Sequence, residues 1–217
     1  GDSITCGYGN TAAPFTQNVY TEDEDITKTY AALTADALGM EPRYLCISGG
    51  CVRNTEWNGR PYSLSEVYPY TDLWRSDLLG EVPERWDFRN GPADVVVINL
   101  GSNDIGSVVM AEDPAGAEEQ FVRDYHDLVA DIRRRNGAKT LIICTLGDLR
   151  YYLYDRITEA AARFAEESGD ANIFCTKLRT YGITDVRGAD GHPGLDAHRR
   201  MAEELTAFIR KHLPSVL

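Results

Sequence analysis

The chain has 217 residues, 43% of them hydrophobic, with 34 acidic against 22 basic side chains and a net charge of −12. That length fits one domain of the larger single-core kind, and that apolar share excludes a disordered chain. The acidity excludes a nucleic-acid backbone or an anionic membrane as the main partner, and it suits a neutral ligand such as a sugar. No apolar run approaches the roughly 18 residues of a membrane span, and no signal-peptide pattern stands at the start. The five cysteines, Cys6, Cys46, Cys51, Cys144 and Cys175, contain no CxxC pair, so no metal and no cofactor is expected. Their odd number gives no disulfide framework. Cys46, Cys144 and Cys175 fall in apolar runs and read as small buried hydrophobes.

The first nine residues, Gly-Asp-Ser-Ile-Thr-Cys-Gly-Tyr-Gly, read as a turn that exposes the Ser3 hydroxyl. Residues 10–25 are polar and acidic, a loop leading to a helix. Thr27 is the expected cap, Tyr30, Ala31, Leu33, Thr34, Ala37 and Leu38 the apolar face, and Gly39 the stop. Arg43–Ile47 reads as a short strand that enters a Ser48-Gly49-Gly50 turn. Residues 54–92 read as irregular and carry all three tryptophans, Trp57, Trp74 and Trp86. Such a segment either walls a ligand cleft or caps a core.

Asp94–Leu100 is a β-branched run of the kind buried on both faces of a parallel sheet, and it ends in Gly101-Ser102-Asn103-Asp104. A helix from about Glu118 to Arg135 follows, with Phe121, Tyr125, Leu128, Val129 and Ile132 on one face. Then come a strand (Lys139–Leu146), a helix (Asp155–Glu167), a strand (Ala171–Thr176) and the loop Asp190-Gly191-His192-Pro193. A last helix spans Asp196–His212, with Met201, Leu205, Phe208 and Ile209 on its apolar side. His126, His198 and His212 are expected on exposed helix positions. The alternation predicts an α/β fold with three α/β/α layers around a parallel sheet of about five strands. Ligands then bind beyond the carboxyl ends of the strands. Ser3 has no strand ahead of it, so a strand upstream of Gly1 is expected, with room there for a further domain. Residues 1–217 read as one catalytic domain. The compartment follows the missing start: secreted or periplasmic if a signal peptide was removed, cytoplasmic otherwise. Oligomeric state is not legible.

Gly1-Asp2-Ser3, the Gly49 turn, Gly101-Ser102-Asn103-Asp104 and His192-Pro193 resemble, in order, the four blocks of the SGNH (GDSL-like) hydrolases. The stretches Gly1–Gly9, Ser48-Gly49 with Val52-Arg53-Asn54, Trp86-Asp87-Phe88, Val95–Asp104 and Gly188–Pro193 are closest to carbohydrate esterase family 2. The resemblance implies the flavodoxin-like SGNH fold and an esterase that forms an acyl-enzyme on Ser3 with His192 as base. The oxyanion donors it implies are the N–H groups of Ser3 and Gly49 and the amide of Asn103. It implies an acetylated oligo- or polysaccharide as partner. Two positions depart from the family. Ala189 stands where an acid usually orients the histidine, with Asp190 one residue out of register, which favours a Ser–His dyad whose ring is held by a backbone carbonyl. Gly191 stands where relatives carry a tryptophan. Asp2, Trp57, Tyr62 and Trp74 are the expected substrate contacts, with Tyr68 as a further aromatic candidate. The competing readings are a lysophospholipase or thioesterase of the same superfamily, and an idle sugar-binding module. A nucleotide binder lacks its GxGxxG loop.

Overall fold

A computed structural model describes residues 1–14, 16–54, 61–147, 151–182 and 185–213. In chain order the elements are α1 (Ser3–Cys6), α2 (Tyr30–Leu38), α3 (Leu64–Val67), α4 (Leu73–Leu79), β1 (Val95–Asn99), α5 (Asp104–Val109), α6 (Pro114–Asn136), β2 (Leu141–Leu146), α7 (Tyr154–Ser168), β3 (Ile173–Lys177) and α8 (Leu195–His212). The chain divides into two compact units. One holds Gly1–Ser48, Leu146–Tyr151 and Lys177–Leu217; the other holds Gly49–Thr145 and Tyr152–Thr176. Among the described residues no helix is long and apolar enough to cross a membrane.

The second unit carries the sheet, in the order β1-β2-β3. β1 and β2 are parallel, with Val95 opposite Leu141 and Asn99 opposite Thr145. Ile142 donates to the Asn172 carbonyl at one end of the next ladder and Leu178 to the Leu146 carbonyl at the other, so β3 runs the same way. β2 lies between two strands and is buried along its whole length, while Val95–Val97 of β1 are only half-buried. α6 packs on α7 and α5 on α6. Pro114 starts α6 earlier than the apolar pattern shows, because Asp113 caps it by accepting from the Gly116 N–H. Its expected face, Phe121, Tyr125, Leu128, Val129 and Ile132, is buried.

Arg133, near the end of α6, gathers this unit. Its guanidinium donates to both Asp170 carboxylate oxygens (2.6 and 3.2 Å) and to the carbonyls of Gly137, Thr140 and Asn172. The pair is largely dry, the side chains being 12% and 7% exposed.

In the first unit α2 packs on α8. α2 is capped by Thr29, not Thr27, because Asp25 caps a preceding 3-10 turn, Ile26–Lys28, and pulls Thr27 into it. Gly39 ends α2 in the left-handed region, and Ala37 is exposed rather than part of the inner face. Arg43–Ile47 is extended but is not a strand. Its ladder bonds go to a single residue: the Gly1 nitrogen donates to the Leu45 carbonyl (2.7 Å) and Ile47 donates to the Gly1 carbonyl (3.3 Å). The described residues therefore hold three strands. The segment read as irregular contains α3, α4 and an antiparallel bridge between Tyr70 and Arg85.

His198 is buried, against the expectation of a surface position. The Tyr30 N–H donates to its Nδ1 (3.2 Å) and the two rings stack at 6.2 Å. Burial, with the nearby His192 second, lowers its pKa to about 4. His198 is thus neutral when folded, whereas in the unfolded chain it takes a proton near 6.5. Its contribution is complete above pH 6.5, is lost as the pH falls toward 4, and totals about 3 kcal/mol. Denaturant midpoints measured at pH 7, 5.5 and 4 should fall more steeply than those of His198→Asn, whose amide oxygen accepts from Tyr30 without titrating. Equal slopes would show that His198 does not carry this loss. Arg133→Met should lower stability by about 3 kcal/mol at an unchanged denaturant slope, because it strands the buried Asp170 carboxylate. A loss under 1 kcal/mol would mean that water already solvates that pair.

Candidate active site

Ser3 begins α1, a helix of only four residues. Its sequence shapes it at both ends. The Asp2 carboxylate accepts from the Ile4 N–H (3.0 Å), and Gly7 takes a left-handed φ of 87°, donating back to the Ser3 carbonyl. The stretch read as a turn is therefore a capped helical turn. Ser3 occupies its first position, so the ladder of α1 has no use for the Ser3 N–H. The middle of α1 is tied to the first unit by Thr5 Oγ1, which shares a hydrogen bond of 2.8 Å with the Tyr30 hydroxyl.

His192 meets Ser3 in this unit. Nε2 lies 2.9 Å from Ser3 Oγ, within hydrogen-bond reach. Ser3 is 9% exposed. The histidine follows a 3-10 turn, Ala189–Gly191, in which Asp190 is left-handed at φ 49°. His192 donates to the Ala189 carbonyl and Gly188 to the His192 carbonyl, each at 2.9 Å. The Tyr181 hydroxyl donates to the Gly191 carbonyl. The loop is stitched to the serine stretch where Ala189 donates to the Gly9 carbonyl (3.0 Å). Contact there is so close that a Cβ on Gly188 would stand 2.4 Å from the Gly9 oxygen, and one on Gly9 would stand 2.6 Å from the Ala189 methyl. Only glycine fits either place.

His192 Nδ1 is buried and has no hydrogen-bond partner among the described residues. Asp190 is exposed and is not brought to the ring, and among the described residues no backbone carbonyl takes the acid's place there. The imidazole instead rests against Tyr8, ring centroids 4.7 Å apart and planes tilted by 54°. Tyr8 belongs to the opening motif, but sequence reasoning gave it no role. Its position five residues after the serine, past the Gly7 bend, was the available clue.

In the second unit Gly49 has φ 79° and leads into a turn held on two sides. Asn103 Nδ2 donates to the Gly50 carbonyl (3.0 Å). The Asp104 carboxylate, buried at the start of α5, accepts from the Val52 N–H at 3.1 and 3.2 Å and from the Arg53 N–H at 3.4 Å. Asn103 thus spends one amide hydrogen on fixing its orientation and keeps the other. Asp104 is the second residue that sequence reasoning left without a function.

The expected substrate contacts fare differently. Asp2 is fully buried and serves as the cap of α1, so it offers no surface to a ligand. Trp57 lies outside the described residues. Tyr62 is half-buried, and desolvation first and the nearby Asp77 second push its hydroxyl pKa up. Trp74 sits half-buried on α4, its indole N–H buried with no partner among the described residues. Tyr68 is taken up by packing: Asn136 donates to its hydroxyl (2.6 Å) and Phe88 covers its ring. Among the described residues no three His, Cys, Asp or Glu side chains gather as a metal would require.

A serine bonded to a histidine on an α/β parallel-sheet scaffold is the equipment of an acyl hydrolase. Residues 1–200 match the model of the GDSL-like Lipase/Acylhydrolase family, and the chain belongs to that family, with its α/β SGNH fold. Over 98% of its length it is 32% identical to the cellulase/esterase CelE of Acetivibrio thermocellus, of which it covers 25%. It is 31% identical to an acetylxylan esterase / glucomannan deacetylase of Cellvibrio japonicus, matching with 97% of its own length and 58% of that protein's. The chain thus spans at most about three-fifths of these curated relatives. Among solved structures it is similar to a family two carbohydrate esterase from Clostridium thermocellum in complex with cellohexaose. There the TM-score is 0.83 and the identity 30%, over 98% of this chain and 62% of that one. The acetyl xylan esterase Est2A of Butyrivibrio proteoclasticus shares the fold, with a TM-score of 0.87 at 24% identity, over 98% of this chain and 63% of that one.

Because the Asp190 carboxylate faces solvent, Asp190→Ala should keep kcat for ester hydrolysis within about threefold of the parent. A loss of several orders of magnitude would mean that the carboxylate reaches Nδ1 during turnover.

Proposed function

We propose that this chain is a single catalytic domain, a serine esterase that removes acetyl groups from carbohydrate through an acyl-enzyme. The observation that carries the reading is the 2.9 Å bond between Ser3 Oγ and His192 Nε2. Its support in sequence is the 31–32% identity to a cellulase/esterase and to an acetylxylan esterase / glucomannan deacetylase. As Ser3 Oγ attacks the acetyl carbonyl, His192 Nε2 accepts the hydroxyl proton. Negative charge gathers on the carbonyl oxygen, and its donors in this reading are the Ser3 N–H, the Gly49 N–H and the Asn103 amide hydrogen not given to Gly50. Each such donor is typically worth about 3 kcal/mol of barrier. Collapse of the tetrahedral intermediate expels the sugar oxygen, which takes its proton from the imidazolium. A water molecule then repeats the sequence on the acetyl-serine, and acetate leaves.

The substrate side of the proposal is an acetylated oligo- or polysaccharide. An esterase similar to this chain was solved with cellohexaose bound. A net charge of −12 suits a neutral glycan better than an anionic lipid surface.

A series of chromogenic esters with acyl chains of increasing length should give the highest kcat/KM at acetate. Ser3→Ala should abolish turnover to within the background, and Asn103→Ala should lower kcat by about 100- to 1000-fold while the fold stays intact. Acetylated xylan and mannan oligosaccharides then test the glycan. A maximum at eight carbons or more would replace this reading by a lysophospholipase-like one, and turnover that survives Ser3→Ala would remove Ser3 as the nucleophile.

A further inference from the structure

Tyr8 stands between the two glycines that bend the opening stretch, Gly7 at φ 87° and Gly9 at φ 63°. Its own N–H donates to the Ser3 carbonyl (3.0 Å), and its half-buried ring lies 4.7 Å from the His192 imidazole, centroid to centroid. One residue is thus bonded to the backbone of the serine and packed on the histidine. The backbone on either side of it is closely packed. A Cβ on Gly7 would stand 2.8 Å from the Asp25 carbonyl oxygen, and the Gly9 carbonyl accepts from the Ala189 N–H (3.0 Å).

The backbone of the His192 loop is held by the bonds of Gly188, Ala189 and His192 and by the Tyr181 hydroxyl on the Gly191 carbonyl. Those bonds fix the Cα of the histidine, not the direction of its ring. The χ2 torsion of a histidine is broad and roughly two-fold, so a half-turn puts a ring carbon where Nε2 stood. In a triad the acid on Nδ1 resists that turn. Here, among the described residues, Nδ1 has no hydrogen-bond partner, and the 2.9 Å bond to Ser3 Oγ holds one corner of the ring.

We propose that Tyr8 is the positioning residue of His192: its ring braces the imidazole so that Nε2 stays on Ser3, the orienting work that a carboxylate does in a triad. Aromatic pairs favour offset and tilted arrangements over others, and this pair is tilted by 54°. Turning the imidazole about χ2 therefore sacrifices the contact with Tyr8 as well as the bond to Ser3. The effect on turnover rests on the esterase reading; the effect on the ring does not. Tyr8 supplies orientation alone, without the charge of a carboxylate, so its loss costs far less than the roughly 10,000-fold that follows loss of a triad acid. An aromatic contact of this kind favours one arrangement by about 3- to 10-fold.

The test compares Tyr8→Leu, Tyr8→Met and Tyr8→Phe in the full-length chain, with Ser3→Ala as control, on a chromogenic acetate ester. Tyr8→Leu should lower kcat by about 3- to 10-fold at unchanged KM, the mark of a loss felt only in the transition state. Tyr8→Met keeps apolar bulk without a flat ring, should behave alike, and replaces Tyr8→Leu if that variant melts more than about 5 °C below the parent. Tyr8→Phe should rescue kcat to within about twofold, because the contact is ring on ring. A second readout needs no turnover: proton–nitrogen correlation spectra of the histidine rings, with the His192 signals assigned by their loss in His192→Gln. The parent and Tyr8→Phe should show one sharp set for His192, and Tyr8→Leu a split or broadened one. A raised KM at unchanged kcat would make Tyr8 a substrate contact, and a loss in Tyr8→Phe equal to that in Tyr8→Leu would assign the effect to the hydroxyl. Either result overturns the proposal, as does a single sharp His192 set in Tyr8→Leu. Turnover that survives Ser3→Ala removes the esterase reading instead and leaves the spectra to decide the role of Tyr8.

Discussion

A four-residue helix cannot hold itself together, and that constraint governs the first unit. A single turn fixes several dihedrals for one or two hydrogen bonds, so α1 exists only because its surroundings over-determine it. Asp2 and Gly7 satisfy its ends, and Thr5 ties its side to Tyr30. Tyr30 is tied in turn by its own N–H to His198 on α8. Buried polar groups are thus linked one to the next from the serine helix to the last helix of the chain. Such a chain specifies one arrangement, because any slip leaves a buried donor or acceptor unmatched.

The same nine residues also locate the histidine. The His192 loop is fixed to this stretch through the Gly9 carbonyl, which accepts from the Ala189 N–H. The imidazole then rests on Tyr8. Ser3 and His192, nucleophile and base in the proposed mechanism, are therefore registered against one short stretch rather than against two distant ones. Among the described residues the buried His192 Nδ1 has no hydrogen-bond partner. With no carboxylate opposite it among the described residues, an imidazolium formed in the proposed reaction gains nothing from them there. In the proposed mechanism, more of the transition-state stabilisation then falls to the oxyanion donors.

Much of this was legible in the sequence. Apolar periodicity located α6 and α8, the helix expected over 155–167 is α7, and Gly39 marked the end of α2. What was not legible depends on partners distant in the chain. Arg43–Ile47 has the composition of a strand, but a strand is defined by its ladder, and its bonds go to Gly1. His198 shows the limit of reading helix faces from apolar residues alone. It sits on the inner side of α8 among Ala197, Met201 and Ala202, and only the Tyr30 N–H explains a polar ring there.

Asn103 and Asp104 carry the argument one step further, because a turn of ordinary composition there divides two tasks between neighbours. A glycine pair such as Gly49-Gly50 is the most mobile backbone available, and it is a poor place to keep a donor at fixed geometry. Asp104 removes that freedom from the donor side by accepting from Val52 and Arg53, and Asn103 from the acceptor side by donating to Gly50. A carboxylate buried against backbone N–H groups is a strong, charge-assisted acceptor, and its desolvation is offset only while those N–H groups stay in place. The permissive backbone that in the proposed mechanism lets Gly49 approach the oxyanion is thereby stiffened by Asp104 through Val52 and Arg53 and by Asn103 through Gly50. This explains why an aspartate, which is otherwise costly to bury, stands beside the amide that the proposed mechanism makes an oxyanion donor.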